Sequence, residues 1–241
     1  MMHPALLKSS QLINLGDIAG AEKALVSISD SEGDLALVSV LEEMPPKDLL
    51  TVIREFDSSN ESVVNLVITP EQFARAVVLE THYKDRSHVR LQGMLNAVVH
   101  RNAETATEFL EAIADIEGGI SALSDYFTER LEEIIKFTIS GNFSYDSDPE
   151  SHFDPETLEW LLEKIEQIHE ALSDSENEWK PLSRAEVADG DWMETAWILR
   201  YELPEVFEEV VGMLCNKRKK LMESFFNKSE DIFEIEEDSA I

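Results

Sequence analysis

The sequence predicts an all-α protein: a superhelical stack of short antiparallel helices, followed by a helical C-terminal subdomain. Three observations lead there. Glycine (9) and proline (8) are scarce among 241 residues, and few β-branched runs lie between turns as a sandwich or barrel would need. Apolar residues recur at intervals of three, four and seven, the period of one helical face. Proline opens helices at Pro46, Pro70, Pro155 and Pro204, each time followed by a charge and then an apolar residue. Proline suits the first helical turn because an N–H there has no intrahelical partner.

The elements follow in order. Residues 17–28 read as a helix capped by Asp17, with Ile18, Ala21, Leu25 and Ile28 on one face. Residues 34–44 carry Leu35, Val38 and Leu41 into "LEEMPPKDLL", residues 41–50. There Pro45 pushes Met44 out of the helical region and Pro46 starts the next helix, which carries Leu49, Leu50, Ile53 and Phe56. This corner is expected to bury Leu41 near Leu49 and Leu50. Ser58 and Glu61 form a capping-box pattern, and Thr69, Pro70 and Gln72 form a fuller one. Helices near 87–101 and 104–115 precede one from about 119 to 140, striped by Ile120, Leu123, Phe127, Leu131, Ile134 and Thr138.

A break at 140–155 marks a boundary. Pro155 then opens a helix with Leu158, Leu161, Leu162, Ile165, Ile168 and Leu172 as its core face. Residues 173–191 are loop-rich and hold a short helix capped by Ser183 and Glu186. A helix with Trp192 and Trp197 follows, and the helix from Pro204 is expected to reach about Phe226. The acidic end is expected to fray. The expected organisation is a repeat-like domain over 1–141, a helical subdomain over 142–228 and a flexible acidic tail over 229–241. Pro46 and Pro70 are 24 residues apart, room for two short helices and two tight turns. Such a pair cannot bury its apolar face alone, so stacking on neighbours is expected over roughly 17–115.

The formal charge of −30 argues against binding a nucleic-acid backbone or an anionic membrane face. It suits a basic partner, bound cations, a saline habitat or solubility alone. The single cysteine, Cys215, excludes an intramolecular disulfide and sits in an apolar helical pattern, where a buried, inert thiol is expected. The apolar run "VVNLVI", 63–68, is far shorter than the ~20 residues of a spanning helix. No signal peptide is visible in "MMHPALLKSS", so a cytoplasmic location is expected.

Candidate chemistry is sparse. Asp146, Asp148 and Glu150 match positions 1, 3 and 5 of an EF-hand loop, but Ser151 stands where glycine is needed and Thr157 where a bidentate glutamate is needed. A solvated acidic linker, with weak Mg²⁺ or Ca²⁺ association left open, accounts for it better. Glu166 and His169 repeat the i, i+3 pair of di-iron bundles without the second copy that chemistry requires. Glu80, His82, Asp85 and His88 cluster in sequence, yet no third strong ligand joins the two histidines. "NKRKK", 216–220, is the one dense basic cluster. It reads as a solvated surface pairing with carboxylates, or as a docking patch for an acidic surface such as a second copy of the protein. No glycine-rich phosphate loop, G-x-S-x-G or Cys/His nucleophile arrangement occurs. No catalytic, cofactor-binding or metal residue is therefore assigned, and the protein is expected not to be an enzyme.

"DLALVSVLEEMPPKDLLTVIREFD", 34–57, resembles the cytosolic N-terminal domain of MgtE-type magnesium transporters, a superhelix of short helices; "ITPEQFARAVV" is a looser echo, and FliG-type proteins use similar phrasing. The resemblance spans roughly 17–115. It implies the fold and cation-responsive or interaction behaviour, without a transporter or nucleotide-sensing part. The leading expectation is a non-enzymatic interaction or scaffold protein with a protein partner. The alternatives are a Mg²⁺-responsive regulatory module and a metal-dependent enzyme using His82, His88, Glu166 and His169.

Overall fold

The computed structural model of the protein describes residues 3–56, 62–83, 88–143 and 182–238, with side chains as far as Leu221. Among the described residues there are thirteen α-helices and no strand. They are α1 (Pro4–Asn14), α2 (Ile18–Glu32), α3 (Asp34–Glu42), α4 (Pro46–Glu55), α5 (Val63–Val67), α6 (Pro70–Thr81) and α7 (Val89–Val99). Then come α8 (Ala106–Ala114), α9 (Gly119–Tyr126), a 3₁₀ turn (Thr128–Arg130), α10 (Leu131–Ser140), α11 (Arg184–Val187), α12 (Trp192–Glu202) and α13 (Pro204–Asp238).

The helix starts follow local chemistry. Asp17 caps α2 by accepting from the Gly20 N–H at 2.9 Å. At α6 the Gln72 N–H donates to Thr69 Oγ1 at 3.3 Å and the Thr69 N–H donates to Gln72 Oε1 at 3.1 Å, a complete capping box. Glu186 Oε2 accepts from the Ser183 N–H and hydroxyl at 2.8 and 2.7 Å, as expected for α11. Pro45, at φ −55° and ψ 132°, is the extended residue before α4, and Leu41, Leu49 and Leu50 are all buried around that corner. Proline also opens α1 at Pro4, capped by His3, a start that the apolar pattern does not announce.

Packing runs through the chain in two rows. α2 lies on α4, α4 on α6 and α6 on α8, while α5 touches α3 and α7. α1 and α3 both pack on α2. One continuous core joins these rows to the C-terminal helices, from Leu6 to Cys215. α12 packs on α8, and α13 packs on α9, α10 and α12.

Three expectations change. The single helix over 119–140 is broken into α9, the 3₁₀ turn and α10. Tyr126 and Phe127 are adjacent and both buried, with rings 4.9 Å apart at 74°. With Ala122, Leu123 and Ser124 also buried, the apolar face is too wide for one straight helix, and the turn lets both rings reach the core. Second, α5 is capped by Ser62, whose side chain accepts from the Val64 N–H; the Ser58 and Glu61 pattern lies outside the described residues. Third, α13 runs to Asp238, beyond the end expected near Phe226, because neither glycine nor proline interrupts the chain after Gly212. The helix expected from Pro155, the 146–157 loop, Glu166 and His169 also lie outside the described residues.

Candidate interaction groove

A wide concavity follows from the break at Phe127. Turning the chain there swings α10 beside α13 and opens a groove of about 870 Å³ between α9, the 3₁₀ turn and α10 on one side and α13 on the other. Leu131, Leu214 and Leu221 supply its apolar lining. One rim is acidic, with Asp125, Glu129, Glu132 and Glu133; the other is basic, with Lys217, Arg218 and Lys220. His88, at φ 49° the one described non-glycine residue in the left-handed region, adds to the lining from the start of α7.

The two rims are tied at one point. Lys217 Nζ donates to Asp125 Oδ1 at 2.6 Å and to Ser121 O and Oγ at 3.2 and 3.3 Å. Glu133 is engaged by Arg130 at 3.2 Å. Glu129 and Glu132 on one rim, and Arg218 and Lys220 on the other, are exposed and make no ion pair among the described residues. The basic cluster is thus divided. Lys217 serves the fold, as a surface pairing with carboxylates predicts, while Arg218 and Lys220 make no such pair among the described residues.

The wall of α13 is held in place from behind. Arg200 on α12 is 1% exposed and donates through its NH1 group to Phe137 O and through NH2 to Thr138 O, the latter at 2.9 Å. These carbonyls end α10, where the helix dipole favours a cation. The rings of Phe137, Tyr201 and Phe207 surround the guanidinium, with centroids at 4.8, 5.6 and 5.8 Å. No carboxylate pairs with Arg200 among the described residues, and burial lowers its pKa to about 10, so it stays charged at neutral pH.

A second polar cluster joins α12 to the stack. His100 Nε2 lies 2.9 Å from Thr195 Oγ1, and Nδ1 lies 3.4 Å from Glu194 Oε2, close enough for an ion pair but poorly aligned for a hydrogen bond. Glu194 also accepts from Arg184 Nε at 3.1 Å and the Gly190 N–H at 3.1 Å. Tyr126 OH donates to Asn96 Oδ1 at 2.6 Å. The Thr195, His100, Glu194 order resembles a nucleophile, base and orienting acid. Thr195, however, is fully buried, so its hydroxyl meets α7 and α9 and no substrate. The cluster is a clasp.

Burial lowers the His100 pKa below its ordinary 6.5, opposed mainly by the negative charge of Glu194. The unfolded chain therefore binds more protons than the folded one just below pH 6.5. Stability contributed by neutral His100 is present above that pH and is lost as pH falls beneath it. Melting temperatures taken from neutral pH down to about pH 5 should fall more steeply for the wild type than for His100→Gln. Parallel profiles would show that His100 is not the titrating group.

The remaining sequence candidates separate. Cys215 is fully buried, and burial raises its pKa to about 11, so it remains an unreactive thiol at neutral pH. Glu80 is 2% exposed and pairs with Arg54 at 3.0 Å. His82 is exposed at the end of α6, and Asp85 lies outside the described residues. Among the described residues no three His, Cys, Asp or Glu side chains are placed to hold a metal ion, and no helix is long and apolar enough to cross a membrane. The groove rims were missed in sequence because 119–140 reads as one helix, which hides the turn that aligns them. Arg200 had a signal, a lone cation between Leu199 and Tyr201, that periodicity alone cannot interpret.

No protein-family model matches the chain, and no curated protein or solved structure matches it.

Proposed function

We propose that the protein is a non-enzymatic interaction or scaffold protein, a superhelical stack of short helices that presents the groove beside α13 to a segment of another polypeptide. One observation carries this reading: a leucine-lined groove runs between rims of opposite sign whose outer charges make no ion pair among the described residues. Apolar lining with a charged rim is the composition of a helix-in-groove site. The rims would orient the bound segment and the leucines would anchor it, since rim charges tune encounter and specificity more than affinity. The row of α2, α4, α6 and α8 supports the superhelical reading and its resemblance to the MgtE-type cytosolic domain, because each helix is packed on the next but one.

The test is affinity capture from native lysate with the full chain, comparing wild type with Leu131→Asp and with Arg218→Glu. Proteins retained by the wild type should be lost from both variants while the melting temperature stays within a few degrees. A retained set that is empty, or identical for all three chains, sinks the proposal.

A further inference from the structure

We infer that the groove seats an amphipathic helix of another protein, one that carries basic residues along one flank of its apolar seam and acidic residues along the other. The inference rests on the groove being a docking site for polypeptide and adds the chemistry of the occupant. Leu214, Lys217, Arg218 and Leu221 follow the three, four and seven spacing of a single helical face, so this wall of α13 is one stripe. At 1.5 Å per residue the stripe runs about 10 Å, roughly two helical turns. The opposite wall brings Glu129 from the 3₁₀ turn and Leu131 and Glu132 from α10. Both walls are helical, and neither offers a strand edge. An extended segment would leave its N–H and C=O groups without partners against such walls, whereas a helix satisfies its own.

Charge decides which helix fits. Lys217 and Asp125 hold each other at 2.6 Å. That leaves Glu129 and Glu132 as the exposed charges of one rim and Arg218 and Lys220 as those of the other. None of these four makes an ion pair among the described residues. A helix with two acidic flanks would match Arg218 and Lys220 but press on Glu129 and Glu132, in a chain of charge −30. A helix with two basic flanks would be drawn to that charge, yet it would set cations against Arg218 and Lys220. Flanks of opposite sign give every one of these rim charges a counterpart and place like charges nowhere. The seam between the flanks then rests on Leu131 and Leu214, where apolar contact supplies the anchoring.

Three synthetic peptides test it, each a fluorescently labelled, hydrocarbon-stapled helix with the same leucine seam. They carry lysine on one flank and glutamate on the other, lysine on both, or glutamate on both. Binding to the full chain is followed by fluorescence anisotropy at physiological salt. Groove binding is the part that Leu131→Asp removes, because a basic peptide also adheres to an acidic surface elsewhere. The mixed peptide should bind the wild type about tenfold more tightly than either of the others. Glu129→Lys/Glu132→Lys should move the preference to the all-glutamate peptide, and Arg218→Glu/Lys220→Glu should move it to the all-lysine peptide. Circular dichroism should show unchanged helicity in each variant. A wild type that binds no peptide through Leu131, one that prefers a single-sign peptide, or a preference that does not follow the rims overturns the inference. Lysate capture that still depends on Leu131 and Arg218 would in that case leave the docking groove standing with an occupant of other chemistry; capture indifferent to both would remove the groove as well.

Discussion

Arg200→Ala should destabilise the protein by about 3–5 kcal/mol, read as a lower urea midpoint at unchanged slope. Three losses combine. Thr138 O, at the end of α10, loses the Arg200 donor, and Phe137 O keeps only the Gly141 N–H. The rings of Phe137, Tyr201 and Phe207 lose the cation that they enclose. A cavity replaces one of the largest fully buried side chains. Arg200→Met separates these contributions. Methionine keeps most of the stem and should recover about 1–2 kcal/mol of the loss, because volume is restored while the guanidinium hydrogen bonds to the two carbonyls stay absent. If methionine is no better than alanine, the hydrogen bonds carry the whole effect. A loss below about 1 kcal/mol for alanine would mean that α10 does not depend on this contact.

Gly119→Ala is the other large change, and it comes from a site with no side chain. A Cβ built on Gly119 would overlap Ile113 O and press on its carbonyl carbon. Both are backbone atoms at the end of α8, so no rotamer change relieves the overlap. The 115–118 turn must move, and with it the start of α9. A cost of about 3 kcal/mol or more is expected by thermal or urea unfolding. The groove should respond too, since α9 carries Ser121 and Asp125, the partners of Lys217. Gly93→Ala is the control. It sits inside α7 with nothing within 4 Å of the added Cβ, so it should stabilise the protein by about 0.5–1 kcal/mol. Equal effects of the two substitutions would mean that helix propensity, and not the α8–α9 approach, governs both.

Both predictions bear on the groove because its walls are joined by long-range ties. Arg200 reaches carbonyls more than sixty residues earlier in the chain, and Lys217 reaches Asp125 across ninety-two. Loosening either tie should let α10 and α13 part and should weaken anything held between them.

The helix starts at Asp17, Pro46, Thr69, Ser183 and Pro204 were readable along the chain, because a cap or a first-turn proline acts on N–H groups within three or four residues. Most of the core was readable for a similar reason: Leu25, Leu49, Ile53 and Leu123 lie on stripes that a helix must bury somewhere. The break at Phe127 was not. Periodicity through 119–140 continues across it, and only the packing of Tyr126 and Phe127 into one core makes the bend cheaper than a straight helix. The roles of the cations were hidden likewise. In sequence, Arg200, Lys217, Arg218 and Lys220 are four basic residues in an acidic chain. In the fold one is caged by aromatic rings, one ties two helices together and two stand exposed on a rim. Local chemistry sets where helices begin, since its partners are a few residues away. What faces what depends on residues sixty to a hundred positions apart, and that is decided only when the core closes.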